Sequence, residues 1–257
     1  MIIKKATALY FSPTYGTKKV VETFAKYLVG LETTLADNTL PEQRDKLYEF
    51  GADELVVVAN PVYAGQMPQV QGLWRNLRGN DTPCIILACY GNRHYDDTLA
   101  QMQQILETRG FIVIGAAAPV IPHIFSPVLG AGRPDEKDEA ELHIFAAEVL
   151  RKLAWNELES VELPGDAEPE LKQPIAVPKN FNEAQCVQCG RCADLCPVGA
   201  IDGLSMAVDQ KICISCMRCV KLCPTGARSF SAEPLRKRLE ENFSEPRDLD
   251  WFVEEDD

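Results

Sequence analysis

The sequence predicts an α/β protein, with a doubly wound parallel sheet followed by a small cysteine-rich α+β domain. Three observations carry that expectation. Residues 1–155 alternate short apolar runs with amphipathic helical patterns. Several of the apolar runs are continuous, as in strands buried on both faces. Eight of the ten cysteines fall between Cys186 and Cys223.

Ala6–Phe11 is a β-prone run that ends at Ser12-Pro13. Thr17–Leu28 reads as a helix, with Val20, Val21, Phe24 and Leu28 on one face and Gly30 closing it. A weaker strand is expected near Thr33–Leu35. Glu54–Ala59 is a strand built on Leu55, Val56, Val57 and Val58, and Gln69–Leu77 reads as a short helix after Pro68. Pro83–Cys89 is a further buried strand, followed by a helix over Asp97–Thr108 that Gly110 ends. Phe111–Ala116 is the fifth strand, and Asp135–Leu153 the longest helix. Five such strands suit the order 2-1-3-4-5, whose ligand sits at the carboxyl ends of the first and third strands.

From Trp155 to Asn180 the periodicity gives way to Glu157, Glu159, Glu162, Asp166, Glu168 and Glu170 mixed with Pro164, Pro169, Pro174 and Pro178. The expected organisation is a first domain over 1–155, a linker or wrapping strap over 156–180, a second domain over 181–230 and an acidic tail over 231–257. The tail carries a short helix, Pro234–Asn242, ahead of Trp251. Its 27 residues hold 4 basic and 10 acidic groups, a large part of the net charge of −12. That charge argues against nucleic acid, whose binding needs Lys and Arg against phosphates. The longest apolar stretch, Phe111–Pro122, is too short for a bilayer, and Met1–Phe11 lacks the features of a secretory signal. A cytoplasmic protein with no membrane span is the expectation.

Cys186-x-x-Cys189-x-x-Cys192-x-x-x-Cys196-Pro197 recurs at an offset of 27 as Cys213-x-x-Cys216-x-x-Cys219-x-x-x-Cys223-Pro224, and Gly199-Ala200 recurs as Gly226-Ala227. The segment is an internal duplication. Three cysteines spaced by three on a tight loop converge on one cubane, while the fourth, followed by proline, points toward the other cluster. Crossed ligation follows, with Cys186, Cys189, Cys192 and Cys223 on one [4Fe–4S] and Cys213, Cys216, Cys219 and Cys196 on the other. Two zinc sites or a disulfide knot are the competing readings. Zinc favours two separated Cys pairs over a triplet with a fixed Cys-Pro.

Ser12-Pro13-Thr14-Tyr15-Gly16-Thr17 stands between a strand and a helix, where free N–H groups attract an anion. With hydroxyls and no lysine, the loop suits a terminal monophosphate such as that of FMN; a plain helix cap is the alternative. Two further loops lie at the same sheet edge. Asn60-Pro61-Val62-Tyr63-Ala64-Gly65 follows the third strand and Tyr90-Gly91-Asn92-Arg93, with Tyr95 and Asp97, follows the fourth. Tyr63, Tyr90 and Tyr95 offer faces for stacking on a planar ring, Gly65 and Gly91 allow close backbone approach, and Asn92 offers an amide to a flavin edge.

With these loops the first domain resembles flavodoxin. Residues 181–230 resemble the bacterial two-cluster ferredoxin domain, and the chain as a whole resembles the ferrodoxin family, in which the two are fused. The resemblance implies a flavodoxin-like sheet, FMN and two [4Fe–4S] clusters. One departure stands in the phosphate loop. Tyr15 occupies the place where flavodoxins usually have glycine, with Gly16 one position later.

The expected role is electron transfer between a two-electron flavin and one-electron clusters, serving redox partner proteins. Alternatives are a flavin-dependent reductase of a small acceptor, such as a quinone or nitro compound, and a redox-sensing adaptor. Cys84 and Cys89, in an apolar strand, read as core thiols. His143 reads as structural or exposed, His123 is placed to line a site entrance without an assigned role, and His94, in the fourth-strand loop, reads as solvent-exposed, with proton supply near neutral pH as the alternative.

Overall fold

The computed structural model describes residues 3–172, 175 and 177–253. Its main sheet contains β1 (Lys5–Tyr10), β2 (Glu32–Asp37), β3 (Glu54–Pro61), β4 (Thr82–Cys89) and β5 (Phe111–Ala118), all parallel, in the order 2-1-3-4-5. This is the flavodoxin-like order. The two-residue period of strand side chains separates two apolar layers. Leu55, Val57, Ala59, Ile85 and Leu87 pack under α1 (Gly16–Ala25) and α3 (Glu136–Trp155). Val56, Val58, Ile86 and Ala88 pack on the other face with Leu99, Met102 and Leu106 of α2 (Thr98–Glu107). Cys84 and Cys89 fall on opposite faces, both buried, and burial pushes both thiols up, Cys89 to about 12. They are core residues.

The segment Gln69–Leu77 is not the helix that its spacing predicts. Val70, Leu73, Trp74 and Leu77 are buried as expected, but through successive turns with Gly72 and Trp74 at positive φ. The chain turns because Trp74 Nε1 donates to Asn60 Oδ1 at 3.0 Å, and because Leu77–Arg78 pairs in parallel with Tyr48–Glu49. Tertiary pairing overrides the local period here.

The cysteine-rich segment holds β6 (Lys179–Phe181) antiparallel to β7 (Arg228–Phe230), with the one-turn helices α4 (Arg191–Asp194) and α5 (Arg218–Lys221). Ahead of it the acidic stretch lies along the first unit as a strap. Val161 N–H donates to Val113 O, Gln103 Nε2 to Val161 O and Gln66 Nε2 to Glu170 O. Residues 173, 174 and 176 of the expected linker lie outside the described residues, as do 254–257 of the tail.

The tail is more than an acidic appendage. After α6 (Glu233–Phe243), β8 (Asp250–Phe252) adds antiparallel to β5 and covers the edge of the sheet. Trp251 packs near Phe145, with ring centroids 6.1 Å apart. Asn92 is the pin: its Nδ2 donates to Phe243 O and Glu245 O at 2.7 and 2.8 Å, and Arg247 N–H donates to its Oδ1 at 3.0 Å. It thereby caps orphan carbonyls at the end of α6. Asn92→Ala removes all three bonds from a buried position and is expected to cost about 2 kcal/mol. Urea denaturation and limited proteolysis of the tail read this out, and an unchanged midpoint would contradict it.

Candidate functional site

The carboxyl ends of β1, β3, β4 and β5 meet the cysteine-rich unit, and two adjoining cavities lie along that seam. The smaller is walled by Ser12, Thr14, Gly16 and Thr17 together with Gly91 and Cys216. The first-turn N–H groups of α1 have no intrahelical acceptor and sit at this loop. Ser12 fixes the turn from both sides. Its N–H donates to Thr39 Oγ1 and its Oγ accepts from Lys18 N–H, each at 2.9 Å.

Tyr15 takes φ of 69°, the left-handed conformation that the expected glycine would adopt without strain. Its half-exposed ring instead lies beneath Arg218 and Lys221, at 5.5 and 5.7 Å from the ring centroid. Those two side chains also hold the loop's backbone. Arg218 Nη1 donates to Pro13 O at 2.7 Å and Lys221 Nζ to Thr14 O at 2.6 Å. Nearby, Arg44 Nη2 donates to Pro197 O at 2.6 Å in the opposite direction across the seam.

The larger cavity, about 420 Å³, is mainly apolar and is bounded by Val62, Tyr63, Ile124, Phe125 and Ile214. Val62, Tyr63, Gly91, His123 and Ile124 border both cavities, so the two form one elongated site. Tyr63 and Gln66 close a tight turn by exchanging backbone hydrogen bonds across Ala64 and Gly65, both at positive φ. A Cβ on Gly65 would collide with Asp96 Oδ2, and Asp97 N–H donates to Gly65 O, so the third- and fourth-strand loops interlock. Burial pushes the Tyr63 phenol well up, reinforced by the nearby Cys216 and Cys213.

The structure redistributes the expected ligand residues. Ser12, Thr14, Gly16, Thr17, Pro61, Val62, Tyr63, Ala64, Gly65, Gly91 and Arg93 border the site. Asn60 does not: it is fully buried and spent on Trp74. Asn92 is committed to the tail, and Asp97 receives the Asp166 N–H of the strap at its Oδ1. Tyr95 is buried edge-on against Tyr90, so neither ring offers an open face, although Tyr90 edges the cavity. Tyr15 turns to the cations of α5. His94 Nδ1 accepts from Asp96 N–H at 2.9 Å beside the larger cavity, and His143 stacks on Tyr27.

Several wall residues escaped the sequence reading. Phe125 follows β5, beyond His123, whose place at the site entrance the sequence suggests, while Leu235, Leu239 and Phe243 come from α6. The α6 residues gave no local signal, since only the docking of the tail brings them there. His123 packs against Gly91, where a Cβ would meet His123 Cδ2 at 2.6 Å. Its Nδ1 accepts from Phe125 N–H, which leaves the proton on Nε2.

Cys186, Cys189, Cys192 and Cys223 surround one small cavity. Cys196, Cys213 and Cys219 lie within electrostatic reach of Cys216. Backbone N–H groups already point at sulfur, Ala200 to Cys196 Sγ at 3.2 Å and Gln188 to Cys186 Sγ at 3.4 Å. Such donors suit ligands that carry negative charge.

Residues 185–227 match the family described as a 4Fe-4S dicluster domain. No curated protein matches the chain. Among solved structures, a flavodoxin from Streptococcus pneumonia TIGR4 is similar at 17% identity and a TM-score of 0.40, over 57% of this chain and 98% of that one. A flavodoxin from the domain Archaea is similar at 12% identity and a TM-score of 0.39, over 58% of this chain and 99% of that one. No helix among the described residues is long and apolar enough to cross a membrane.

Burial lowers the His123 pKa from 6.5 to about 4. Above pH 6.5 the imidazole is neutral whether the chain is folded or unfolded. As the pH falls toward about 4, only the unfolded chain takes up the proton, so stability declines across that window. His123→Gln is expected to remove this share of the decline in urea midpoints. An unchanged pH slope in the variant would contradict the assignment.

Proposed function

We propose that this chain is an iron–sulfur flavoprotein that moves electrons between FMN at the sheet edge and two [4Fe–4S] clusters held by the eight cysteines. The units are taken as 1–155 and 181–230, joined by the 156–180 strap and completed by the 231–257 tail. Bound there, the flavin supplies a two-electron centre and the clusters one-electron centres.

One observation carries the reading. Cys216 forms part of the wall of the Ser12–Thr17 cavity, so the second cysteine set borders the proposed phosphate site directly. The residues fit the groups assigned to them. The N-terminal turn of α1 offers N–H donors to a phosphate beside Thr14, while Arg218 and Lys221 bring positive charge behind the loop. Val62, Tyr63, Ile124 and Phe125 offer an apolar slot to a planar ring and exclude water from it.

The cysteine assignment is Cys186, Cys189, Cys192 and Cys223 for one cluster, and Cys196, Cys213, Cys216 and Cys219 for the other. Redox proteins in the cytoplasm are the partners this reading calls for. The size of the larger cavity favours a second reading, reduction of a small acceptor beside the ring, which predicts saturable acceptor-dependent turnover.

Anaerobic reconstitution is expected to give one bound FMN with altered fluorescence and about eight iron atoms per chain. Uptake of iron without flavin would overturn the flavin assignment, and flavin without iron would overturn the clusters. Arg218→Ala, which removes the side-chain donor to the Ser12 and Pro13 carbonyls, is expected to weaken FMN binding roughly tenfold or more. Unchanged affinity in a fluorescence titration would contradict the part given to α5.

A further inference from the structure

Within the duplication that builds the two cysteine sets, one pair of counterparts exchanges a buried aliphatic side chain for a buried cation. At the offset of 27, Ile201 and Arg228 are counterparts. Ile201 is a buried aliphatic residue bridged to Val208. Arg228, in β7, is equally buried at 4% exposed, yet it carries a full positive charge.

Its Nη2 donates to Met206 O and lies 3.6 Å from Cys192 Sγ. The guanidinium sits over the Phe181 ring at 4.7 Å, and its Nε has no acceptor among the described residues. Its polar partners are thus a carbonyl and a cysteine sulfur, with no carboxylate among the described residues. A buried guanidinium without an anion is strongly unfavourable. A four-thiolate iron–sulfur centre is the anion the site can provide.

Arg228 also lies within electrostatic reach of Cys219 of the other set, but among the described residues its direct contact with a sulfur is the one to Cys192. The head of Arg218 is turned to the Ser12 and Pro13 carbonyls, and Lys179 Nζ reaches Ser215 Oγ at 3.0 Å.

We propose that Arg228 ranks the two clusters, favouring the reduced state of the one held by Cys186, Cys189, Cys192 and Cys223. The inference rests on the iron–sulfur reading above and adds a direction to it. One electron taken from a reductant adds one negative charge to that centre, with no bond made or broken and no proton required. The fixed cation at Cys192 stabilises the added charge, whereas the aliphatic counterpart at Ile201 cannot. Electrons arriving at the cluster beside the cavity are thereby drawn to the outer one, where Cys189 is exposed to a partner.

The test is an anaerobic dithionite titration of the reconstituted full chain, followed by EPR, on wild type, Arg228→Gln and Arg228→Lys, with iron content measured first. In the wild type one cluster is expected to reduce ahead of the other. Arg228→Gln is expected to lower the reduction equilibrium constant of the leading cluster by roughly tenfold to a hundredfold, and Arg228→Lys to retain most of the lead. An unchanged order and spacing in an iron-replete Arg228→Gln protein would overturn the proposal. So would loss of iron from both variants, which would make Arg228 a packing residue. A wild type that takes up no iron would overturn the cluster reading itself, before any reduction is measured.

Discussion

Everything at the seam depends on the backbone polarity of one loop. A turn that aims its N–H groups into a cavity aims its carbonyls the other way, and buried carbonyls need donors. Here the donors come from the second unit, as Arg218 and Lys221 reach the carbonyls of Ser12, Pro13 and Thr14. The contact that satisfies the loop also brings α5, and with it Cys216, to the wall of the cavity. Tyr15 belongs to the same arrangement. It accepts left-handed backbone, a strain on the order of 1 kcal/mol, and places its ring under both cations.

Around that contact the strap and the tail hold the two units together by different means. The strap is a row of backbone and amide hydrogen bonds to α2 and the Tyr63–Gln66 turn, with Val161 and Val177 buried. The tail is a strand on the sheet edge and a helix over the larger cavity, joined through Asn92. Both start from one unit and finish on the other, so the cysteine sets have a defined place relative to the sheet edge. The buried cations of the second unit point in two directions. Arg218 serves the loop, and Arg228 serves a cysteine.

The sequence made the sheet legible because its strands are continuous apolar runs that only a doubly covered sheet can bury. The cysteine spacing was legible because it repeats. Gln69–Leu77 misled because its apolar spacing is helical, while the Trp74–Asn60 hydrogen bond and the pairing of Leu77–Arg78 with Tyr48–Glu49 select turns instead. β8 could not be read from Asp250-Trp251-Phe252, three residues among acids whose strand character comes from the exposed edge of β5. Asn60, Asn92 and Tyr95 lie in the right loops but are taken up by Trp74, the tail and Tyr90. The α6 wall was hidden for the same reason, and the role of Tyr15 followed from cations some 200 residues away.

The central claim is that flavin and clusters occupy one fixed arrangement within a single chain. It is tested most directly by rapid-mixing kinetics of the reconstituted protein, in which the clusters are reduced and the flavin absorption is followed over a range of protein concentrations. The account predicts a rate constant for flavin reduction that does not change with protein concentration. A rate that rises in proportion to concentration would mean that electrons pass between molecules, and would contradict the seam described here.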